Sequence, residues 1–355
     1  MADSPALPAL LDPWYRAHAR SLPWRVPPGG ALPADPAFAY RVWLSEIMLQ
    51  QTTVPVVQGY FANFLARWPD VAALAAADDA DVMQAWAGLG YYARARNLLA
   101  CAREVVARHE GRFPADEAAL RALPGIGDYT AAAIAAFAFG LPAVVVDGNI
   151  ERVASRLFAV ATPLPAARAA IRAALAPETP AVAAGDFYQG LMDLARRVCT
   201  PRNPACLACP LQVRCQAAAL GKAEAFPVKP AKRPRPLRHG IAWWLEADGQ
   251  VFTHVRPAKG LLGGMRALPS TDWATTQPDA TPPVPGDWAV LGLASHGFTH
   301  FELALQVQGL RLPEVPAGLD SALPGGAWLP LGQVTGAGLP TVFAKAAALG
   351  LNWED

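Results

Sequence analysis

The sequence predicts a multidomain protein in which an all-α domain is followed by a smaller α+β domain. Three observations predict this class. From about residue 36 to residue 221, apolar residues recur at helical spacing in short segments separated by Gly and Pro. After residue 239 the apolar period changes to two. Between these regions lies a basic, proline-spaced segment that ends at Arg238. We therefore expect a helical domain at 1–221, a semi-rigid linker at 222–238 and an α+β domain at 239–355.

Apolar stripes and turn residues predict the individual elements in chain order. Tyr40, Trp43, Leu44 and Ile47 form one helical stripe, and a second stripe begins at Ile150. In the last region, two alternating runs at 241–245 and 251–255 flank Ala247-Asp-Gly-Gln250, which predicts a β-hairpin. Residues 301–307 alternate in the same way, 270–287 has the composition of a loop, and a closing helix is expected at 341–349.

The charge balance gives no general indication of a polyanionic partner. The 355 residues contain 30 Lys and Arg against 29 Asp and Glu, so the net charge is +1. Any nucleic-acid partner must therefore be argued from local arginines and motifs. Only five of the cations are lysines, and residues 1–221 contain none. The apolar fraction of 53% is ample for buried cores and excludes a disordered or collagen-like chain.

Neither a secretory signal nor a membrane segment is expected. The first residues lack a basic region followed by an apolar core. The uncharged run 129–146 is mostly alanine and is interrupted by Gly140 and Pro142. It predicts a buried helix followed by a short extended run. We therefore expect a cytoplasmic protein in a reducing compartment, with no membrane contact.

Four cysteines lie within 17 residues with the spacing C-x6-C-x2-C-x5-C. They are Cys199, Cys206, Cys209 and Cys215. Disulfides would suit a secreted chain, and a zinc ribbon normally has two C-x2-C pairs where this segment has one. Four soft thiolates in one compact loop suit a 4Fe-4S cluster, with zinc and unliganded cysteines as the alternatives.

The cysteine loop, at 199–215, follows a glycine-containing hairpin at 123–130, Leu-Pro-Gly-Ile-Gly-Asp-Tyr-Thr. Together they resemble the helix-hairpin-helix iron–sulfur DNA glycosylases of the endonuclease III and MutY type. The resemblance implies a helix-hairpin-helix fold, a 4Fe-4S cluster held by the four cysteines, and a DNA phosphate bound at Gly125 and Gly127. The alternative for the hairpin is a plain αα-turn with Asp128 as the N-cap residue.

Two further residues acquire catalytic roles through this resemblance. Asp147 begins a predicted helix and could be only an N-cap residue. Its offset from the hairpin matches the superfamily aspartate, which stabilises the oxocarbenium-like cation at C1′. Asn149 is expected to position that carboxylate or the sugar. Bifunctional members carry a nucleophilic lysine where this chain has Tyr129, so we expect a monofunctional enzyme that uses water.

The string Leu44-Ser-Glu-Ile-Met-Leu-Gln-Gln-Thr52 resembles the MutY signature. A lone glutamate on a helix is usually solvated. The resemblance makes Glu46 the general acid for adenine N7, a role for which burial should raise its pKa. By the same resemblance Trp24, Arg25 and Gln189 line the adenine pocket. Within the base stack, Tyr91 acts as a wedge and Gln51 fills the gap left by the flipped adenine.

The last region resembles the Nudix-like domain that ends MutY-type proteins. Between Arg256 and Trp288 the only acidic residues are Asp272, Asp279 and Asp287, too few for a Nudix metal site, so we expect binding without hydrolysis. Phe298, Thr299 and His300 occupy the family's Phe-Ser-His position, which implies recognition of 8-oxoguanine.

These interpretations converge on a monomeric glycosylase that removes adenine opposite 8-oxoguanine or guanine from double-stranded DNA. Two alternatives remain open from the sequence. One is a monofunctional thymine or uracil mismatch glycosylase of the same superfamily, against which Glu46 and the C-terminal domain argue. The other is a non-catalytic iron–sulfur protein that binds lesions, in which Glu46 and Asp147 would be structural.

Overall fold

A computed structural model describes residues 5–230, 234–257, 260–316, 318–319, 323 and 325–353. The chain divides into two compact units. The first combines Met1–Trp86 with Ala93–Ala231, and the second combines Ala87–Tyr92 with Lys232–Asp355. Within the described residues, no helix is both long and apolar enough to cross a membrane.

The first unit is helical, as the periodicity predicts. Its helices are α1 Leu7–His18, α2 Pro36–Leu49, α3 Val54–Arg67, α4 Val71–Ala75, α5 Asp79–Ala85, α6 Ala93–His109, α7 Glu117–Arg121, α8 Asp128–Phe139, α9 Gly148–Leu157, α10 Arg168–Leu175, α11 Ala184–Arg197 and α12 Gln216–Ala219. Aspartate side chains accept hydrogen bonds from the first turns of several helices, which fixes where those helices begin. These N-cap residues are Asp35, Asp70, Asp78, Asp116 and Asp147.

Helix α8 forms part of the core of this unit. Every residue from Thr130 to Ala138 is buried, because small alanines let neighbouring helices approach on all sides. The helix ends at Gly140, whose φ of +69° is the left-handed conformation that glycine favours at a C-terminus. Residues 141–147 then run on without helical structure. The prediction of a buried helix followed by an extended run is confirmed.

The second unit is built on a mixed sheet with the strand order β3-β2-β1-β5-β4, and β6 also pairs with β2. The strands are β1 Leu237–Ala247, β2 Gln250–Val255, β3 Arg266–Ala267, β4 Ala289–Gly297, β5 Glu302–Leu312 and β6 Ala327–Pro330. The predicted hairpin forms, with Ala247 opposite Gln250 across the two-residue turn. The closing helix α13, Thr341–Leu351, packs closely on the sheet. A Cβ at Gly350 would lie 2.1 Å from the Trp244 ring.

The predicted linker, 222–238, is shorter in the structure. Residues up to Val228 are bonded to the helical unit, where the Leu164 amide donates to the Val228 carbonyl and the Asn203 amide donates to the Glu224 carboxylate. At the other end, β1 already begins at Leu237. Residues 231–233 of the predicted linker lie outside the described residues.

Candidate active site

The first unit contains a cleft of about 1170 Å³. Its lining includes eight of the residues that the sequence analysis selected: Trp24, Arg25, Glu46, Gln51, Tyr129, Asp147, Asn149 and Gln189. They come from α2, α8, α9, α11 and the segments that precede or follow these helices. Residues far apart in the sequence therefore meet at one site.

Glu46 is buried on α2, with 6% of its surface exposed. Its Oε2 accepts a hydrogen bond of 2.6 Å from the Tyr129 hydroxyl on α8. Burial raises the pKa of Glu46 from 4.5 to about 7, and the negative charge of Asp147 contributes in the same direction. The Tyr129 hydrogen bond and the Arg25 charge oppose this rise. A carboxyl group with such a pKa can both hold and release a proton near neutral pH.

Asp147 caps the N-terminus of α9. Its Oδ1 accepts from the Ile150 amide at 2.7 Å, and its Oδ2 accepts from Asn149 Nδ2 at 3.0 Å. Burial raises the pKa of Asp147, while these hydrogen bonds and the Arg152 charge oppose the rise. The side chain is therefore an N-cap and a cleft carboxylate at once, so the two interpretations of Asp147 do not exclude each other.

Each of the three residues predicted to line the adenine pocket contacts another side chain of the helical unit. Arg25 Nη1 lies 2.9 Å from Oδ2 of Asp193, whose side chain is 0% exposed and also accepts from Arg20 Nε. The Gln189 side-chain oxygen accepts from the Tyr15 hydroxyl at 2.9 Å. Trp24 packs edge-on against Phe61, with 5.0 Å between ring centroids. Each of the three side chains therefore has a partner within the helical unit.

Gln51 and Tyr91 both have left-handed backbone conformations, with φ of +61° and +49°. Gln51 follows the C-terminus of α2 and lies on the cleft wall. Tyr91 belongs to the second unit, in the 87–92 segment, and 61% of its surface is exposed. Left-handed φ values are uncommon for residues other than glycine. Both residues therefore lie where the chain changes direction in a conformation that few side chains adopt.

In the hairpin, Gly127 and not Asp128 is the N-cap residue of α8, and no side chain caps this end. Asp128 is the first helical residue and pairs with Arg121 at 3.5 Å. Gly125 has a φ of +73°, and a Cβ there would lie 2.7 Å from Asn97 Cβ. Apart from the adjoining residues, no atom lies within 4 Å of the corresponding position at Gly127. The amides at the start of α8 are therefore open to an anion.

The four loop cysteines, Cys199, Cys206, Cys209 and Cys215, border one small cavity and form no disulfide. Buried Arg156 from α9 donates to Cys199 Sγ at 3.2 Å, and to the carbonyls of Thr200 and Pro201. In the described part of the chain, no three His, Cys, Asp or Glu side chains lie close enough to hold a single metal ion. Four thiols around a common cavity, with an N–H group directed at one sulfur, fit a cluster that takes one thiolate per iron.

In the second unit, Phe298, Thr299 and His300 form a turn between β4 and β5. The turn is closed by the Phe298 amide, which donates to the Phe301 carbonyl at 2.9 Å. Phe298 stacks on Trp273, with 5.4 Å between centroids, whereas Thr299 and His300 are exposed. Packing of Phe298 thus holds a turn that presents the other two side chains to solvent.

Several supporting residues were missed by the sequence analysis. Asp193 and Tyr15 hold pocket residues, and Arg152 on α9 donates to Asn149, to the Ala195 carbonyl and to the Cys199 carbonyl. Arg152 and Arg156 are four residues apart, so they lie on the same face of α9 just after Asp147. This spacing could have predicted that both arginines contact the same part of the chain, which is Cys199 in the structure. Nothing in the sequence near Tyr15 or Asp193 indicates their partners.

Comparison with known proteins agrees with this architecture. Residues 44–177 match the HhH-GPD superfamily of base excision DNA repair proteins, and residues 240–349 match the NUDIX domain. A human adenine DNA glycosylase is 33% identical over 405 residues, covering 97% of this chain and 74% of the relative. The adenine DNA glycosylase of Mycolicibacterium smegmatis is 39% identical over 204 residues, covering 58% and 67%.

The solved structure of a thermostable thymine-DNA glycosylase superimposes with a TM-score of 0.53 at 28% identity, covering 60% of this chain and 94% of that one. This match supports the helical fold. It does not decide which base the chain removes. With a helical glycosylase unit, a NUDIX-like unit and 33% identity to a relative along nearly its whole length, this chain belongs to the adenine DNA glycosylase family.

Proposed function

We propose that the chain is a monofunctional DNA glycosylase that hydrolyses the N-glycosidic bond of adenine opposite 8-oxoguanine or guanine. One observation carries the proposal. A buried carboxyl group with a pKa of about 7, hydrogen-bonded to Tyr129, shares a cleft with the N-capping carboxylate Asp147. Enzymes that cleave glycosidic bonds commonly use two carboxyl groups in different environments, one as the acid and the other as an anion.

In the proposed first step, Glu46 donates its proton to N7 of the flipped adenine. The bond between C1′ and N9 then breaks, and its electron pair leaves with the neutral base. Adenine is a poor leaving group unless it is protonated, so the acid must still hold its proton near neutral pH. The raised pKa of Glu46 meets that requirement.

The sugar left behind carries positive charge at C1′, which Asp147 stabilises as an anion. Its two oxygens are already fixed by Ile150 and Asn149, so little reorganisation is needed when the charge develops. Water attacks C1′ and gives its proton to the Glu46 carboxylate, which restores the acid. The products are free adenine and an abasic site.

Water is proposed as the attacking group because the cleft offers no amine. Its lining includes several arginines and no lysine, and residues 1–221 contain no lysine at all. A Schiff base at C1′ requires a primary amine that can lose its proton, which a guanidinium cannot supply. Strand cleavage should therefore require added alkali.

DNA binding is proposed to combine backbone amides with cleft arginines. The start of α8, at Gly127, has no side-chain cap and suits one phosphate. Arg168 and Arg196 border the cleft, and Arg168 pairs with Glu151 while keeping 65% of its side chain exposed. Local placement of arginine thus supports a polyanionic partner although the net charge is only +1.

Recognition of 8-oxoguanine is assigned to the turn at Phe298, Thr299 and His300. The Thr299 hydroxyl can donate to the Hoogsteen edge of the lesion, and its methyl group is an addition relative to the serine of the family. The exposure of Thr299 above the stacked Phe298 supports this role. We expect preference for 8-oxoguanine over guanine opposite the target adenine.

The four cysteines are proposed to hold a 4Fe-4S cluster, with Arg156 as the donor to the Cys199 sulfur. When bound, such a cluster ties the loop at 199–215 together and can exchange one electron. Purified protein should contain four irons per chain, and Cys209→Ser should lower that number. Full iron content in the serine variant, or one zinc per chain in the wild type, would contradict the assignment.

The function is tested on duplexes that carry A opposite 8-oxoguanine, A opposite G, or T opposite G. We expect alkali-dependent breaks in the adenine strand only, with Glu46→Gln abolishing them. Breaks in the thymine strand would favour a thymine mismatch glycosylase, and tight binding without breaks would favour a non-catalytic lesion-binding protein. Strand cleavage without alkali, trapped by borohydride, would exclude the monofunctional mechanism.

We further propose that the enzyme acts as a monomer in the cytoplasm on nucleoid DNA. The eight selected residues that line the cleft all belong to the first unit, so the proposed site needs no second copy of the chain to supply them. Light scattering during gel filtration should give the mass of one chain, 37.5 kDa. Cell fractionation should recover the protein with chromosomal DNA, and recovery with membranes would contradict this location.

A further inference from the structure

The C-terminal end of α2 is held by a side chain from α6. The last four carbonyls of a helix lack partners within the helix. Here Arg94 Nη1 donates to the carbonyls of Ile47 at 3.0 Å and Met48 at 3.1 Å, and also to that of Gln50. The Leu49 carbonyl accepts from the Thr52 amide at 3.3 Å. Arg94 thus satisfies two of the last four carbonyls of α2 and the carbonyl of the C-cap residue Gln50.

The chemistry of this contact requires a guanidinium. The Arg94 guanidinium also lies over the buried Trp86 ring, at 5.2 Å from its centroid, which adds a cation–π contact. Its positive charge lies at the negative end of the α2 dipole. A lysine would keep the charge, but its single ammonium cannot reproduce a planar group that contacts three carbonyls and a ring at once.

The position of this contact relates it to the reaction. Glu46 precedes the first of the three carbonyls by one residue, and Gln51, with its left-handed φ of +61°, follows the last. Both residues line the cleft. Arg94 therefore holds the segment that carries Glu46, the proposed acid, and Gln51, which is proposed to fill the space that the flipped adenine leaves in the base stack.

We propose that Arg94 is a positioning residue for adenine excision, which acts by holding the end of α2 so that Glu46 stays buried against Tyr129. The inference rests on the proposed function, because it concerns the acid of that reaction. Arg94 touches neither base nor sugar in this role. Its effect passes through the burial and hydrogen bonding of the Glu46 carboxyl group.

The test compares Arg94→Lys with Arg103→Lys. Arg103 lies on the same helix and caps a different helix end, donating to the carbonyls of Ala75 and Ala77 and to Asp79 at 2.7 Å. Both substitutions keep the charge and remove a helix-capping guanidinium, but only the first lies beside the cleft. Adenine excision is measured under single-turnover conditions from pH 5 to pH 9, with melting temperature and iron content as folding controls.

For Arg94→Lys we expect a rate at pH 7.5 roughly ten- to a hundred-fold below wild type, because small displacements of a catalytic group have effects of that size. The limb where the rate falls with rising pH should move to lower pH, as Glu46 becomes more hydrated. The groups that face Glu46, namely Tyr129 from α8, Asp147 before α9 and Arg25, are unchanged in this variant. Arg103→Lys should leave both rate and limb at wild-type values.

Two results would overturn the inference: an unchanged pH limb in Arg94→Lys, or an equal shift in Arg103→Lys. Wild-type protein that excises no adenine would instead refute the proposed function. In that event amide hydrogen exchange still decides whether Arg94 holds the segment. Exchange at residues 50–52 should accelerate in Arg94→Lys and not in Arg103→Lys, and equal exchange in the two variants would refute the inference by itself.

Discussion

Replacing Glu46 with glutamine should make the protein more stable at alkaline pH while it abolishes excision. Glutamine has nearly the same shape, and its amide can still pair with the Tyr129 hydroxyl. It cannot ionise, however, and so it cannot act as the acid. Losing a general acid typically costs 10²–10⁴-fold in rate. The gain in stability is the less obvious consequence.

The size of that gain follows from the pKa. Burial raises the pKa of Glu46 from 4.5 to about 7. Because the folded form binds the Glu46 proton more tightly than the unfolded form, the contribution of Glu46 to stability is fully present below pH 4.5 and is lost as pH rises through 7. A difference of about 2.5 pH units corresponds to about 3 kcal/mol of unfolding free energy. Glutamine removes this penalty, so its advantage should grow from near zero at pH 4.5 to about 3 kcal/mol at pH 8.

Urea unfolding at pH 5 and pH 8, followed by far-ultraviolet circular dichroism, measures this difference because the helical unit dominates that signal. Glu104→Gln is the matched control, since Glu104 lies on α6 and pairs at the surface with Arg108. The control variant should show no comparable gain at pH 8. If the stability of Glu46→Gln relative to wild type is the same at both pH values, burial does not raise the pKa of Glu46 and the argument is refuted.

Three further substitutions test other parts of the site. Tyr129→Phe removes a hydrogen bond that favours the ionised form of Glu46, so the falling limb of the rate against pH should move up by about one pH unit; a downward shift would contradict this. Asp193→Asn leaves two arginines beside a buried neutral group and should cost about 3 kcal/mol in urea unfolding; a neutral effect would mean that the network relaxes. Trp273→Leu removes the stacking that supports Phe298, so competition binding should show less preference for 8-oxoguanine over guanine, with the excision rate at A opposite G unchanged.

Features determined by nearby residues could be predicted from the sequence. The turn at Asp248 and Gly249 joins β1 to β2 because both residues accept a positive φ, and this preference is local. Helix α8 follows in the same way from its alanine-rich composition, which carries no charge after Asp128. The candidate site residues were selected by motif resemblance, which identifies positions but not contacts. In the structure, eight of these residues line the same cleft.

Contacts between distant residues were beyond such reasoning. Tyr15 and Gln189 are 174 residues apart, and Arg25 and Asp193 are 168 apart, yet each pair forms a hydrogen bond in the structure. Nothing in the sequence around Asp193 distinguishes it from a solvated aspartate on a helix. The predicted linker was too long for the same reason, since a proline-rich composition does not show that Val228 bonds to Leu164. Motif resemblance thus selected Glu46 and Asp147 as the proposed acid and cation stabiliser, whereas the groups that hold them became visible only in the tertiary structure.

The cleft separates the roles of its two carboxyl groups through the number of donors that each receives. Asp147 accepts hydrogen bonds from Ile150 and Asn149 and is further stabilised by the charge of Arg152, all of which favour its anion against the effect of burial. Glu46 receives one hydrogen bond, from Tyr129, and is favoured as an anion by the charge of Arg25, but it is repelled by the charge of Asp147. We therefore propose that Glu46 holds the proton needed for excision while Asp147 stays ionised. Any change that gives Glu46 a second donor, or takes one from Asp147, should move that proton and lower the rate even if both carboxyl groups remain in place.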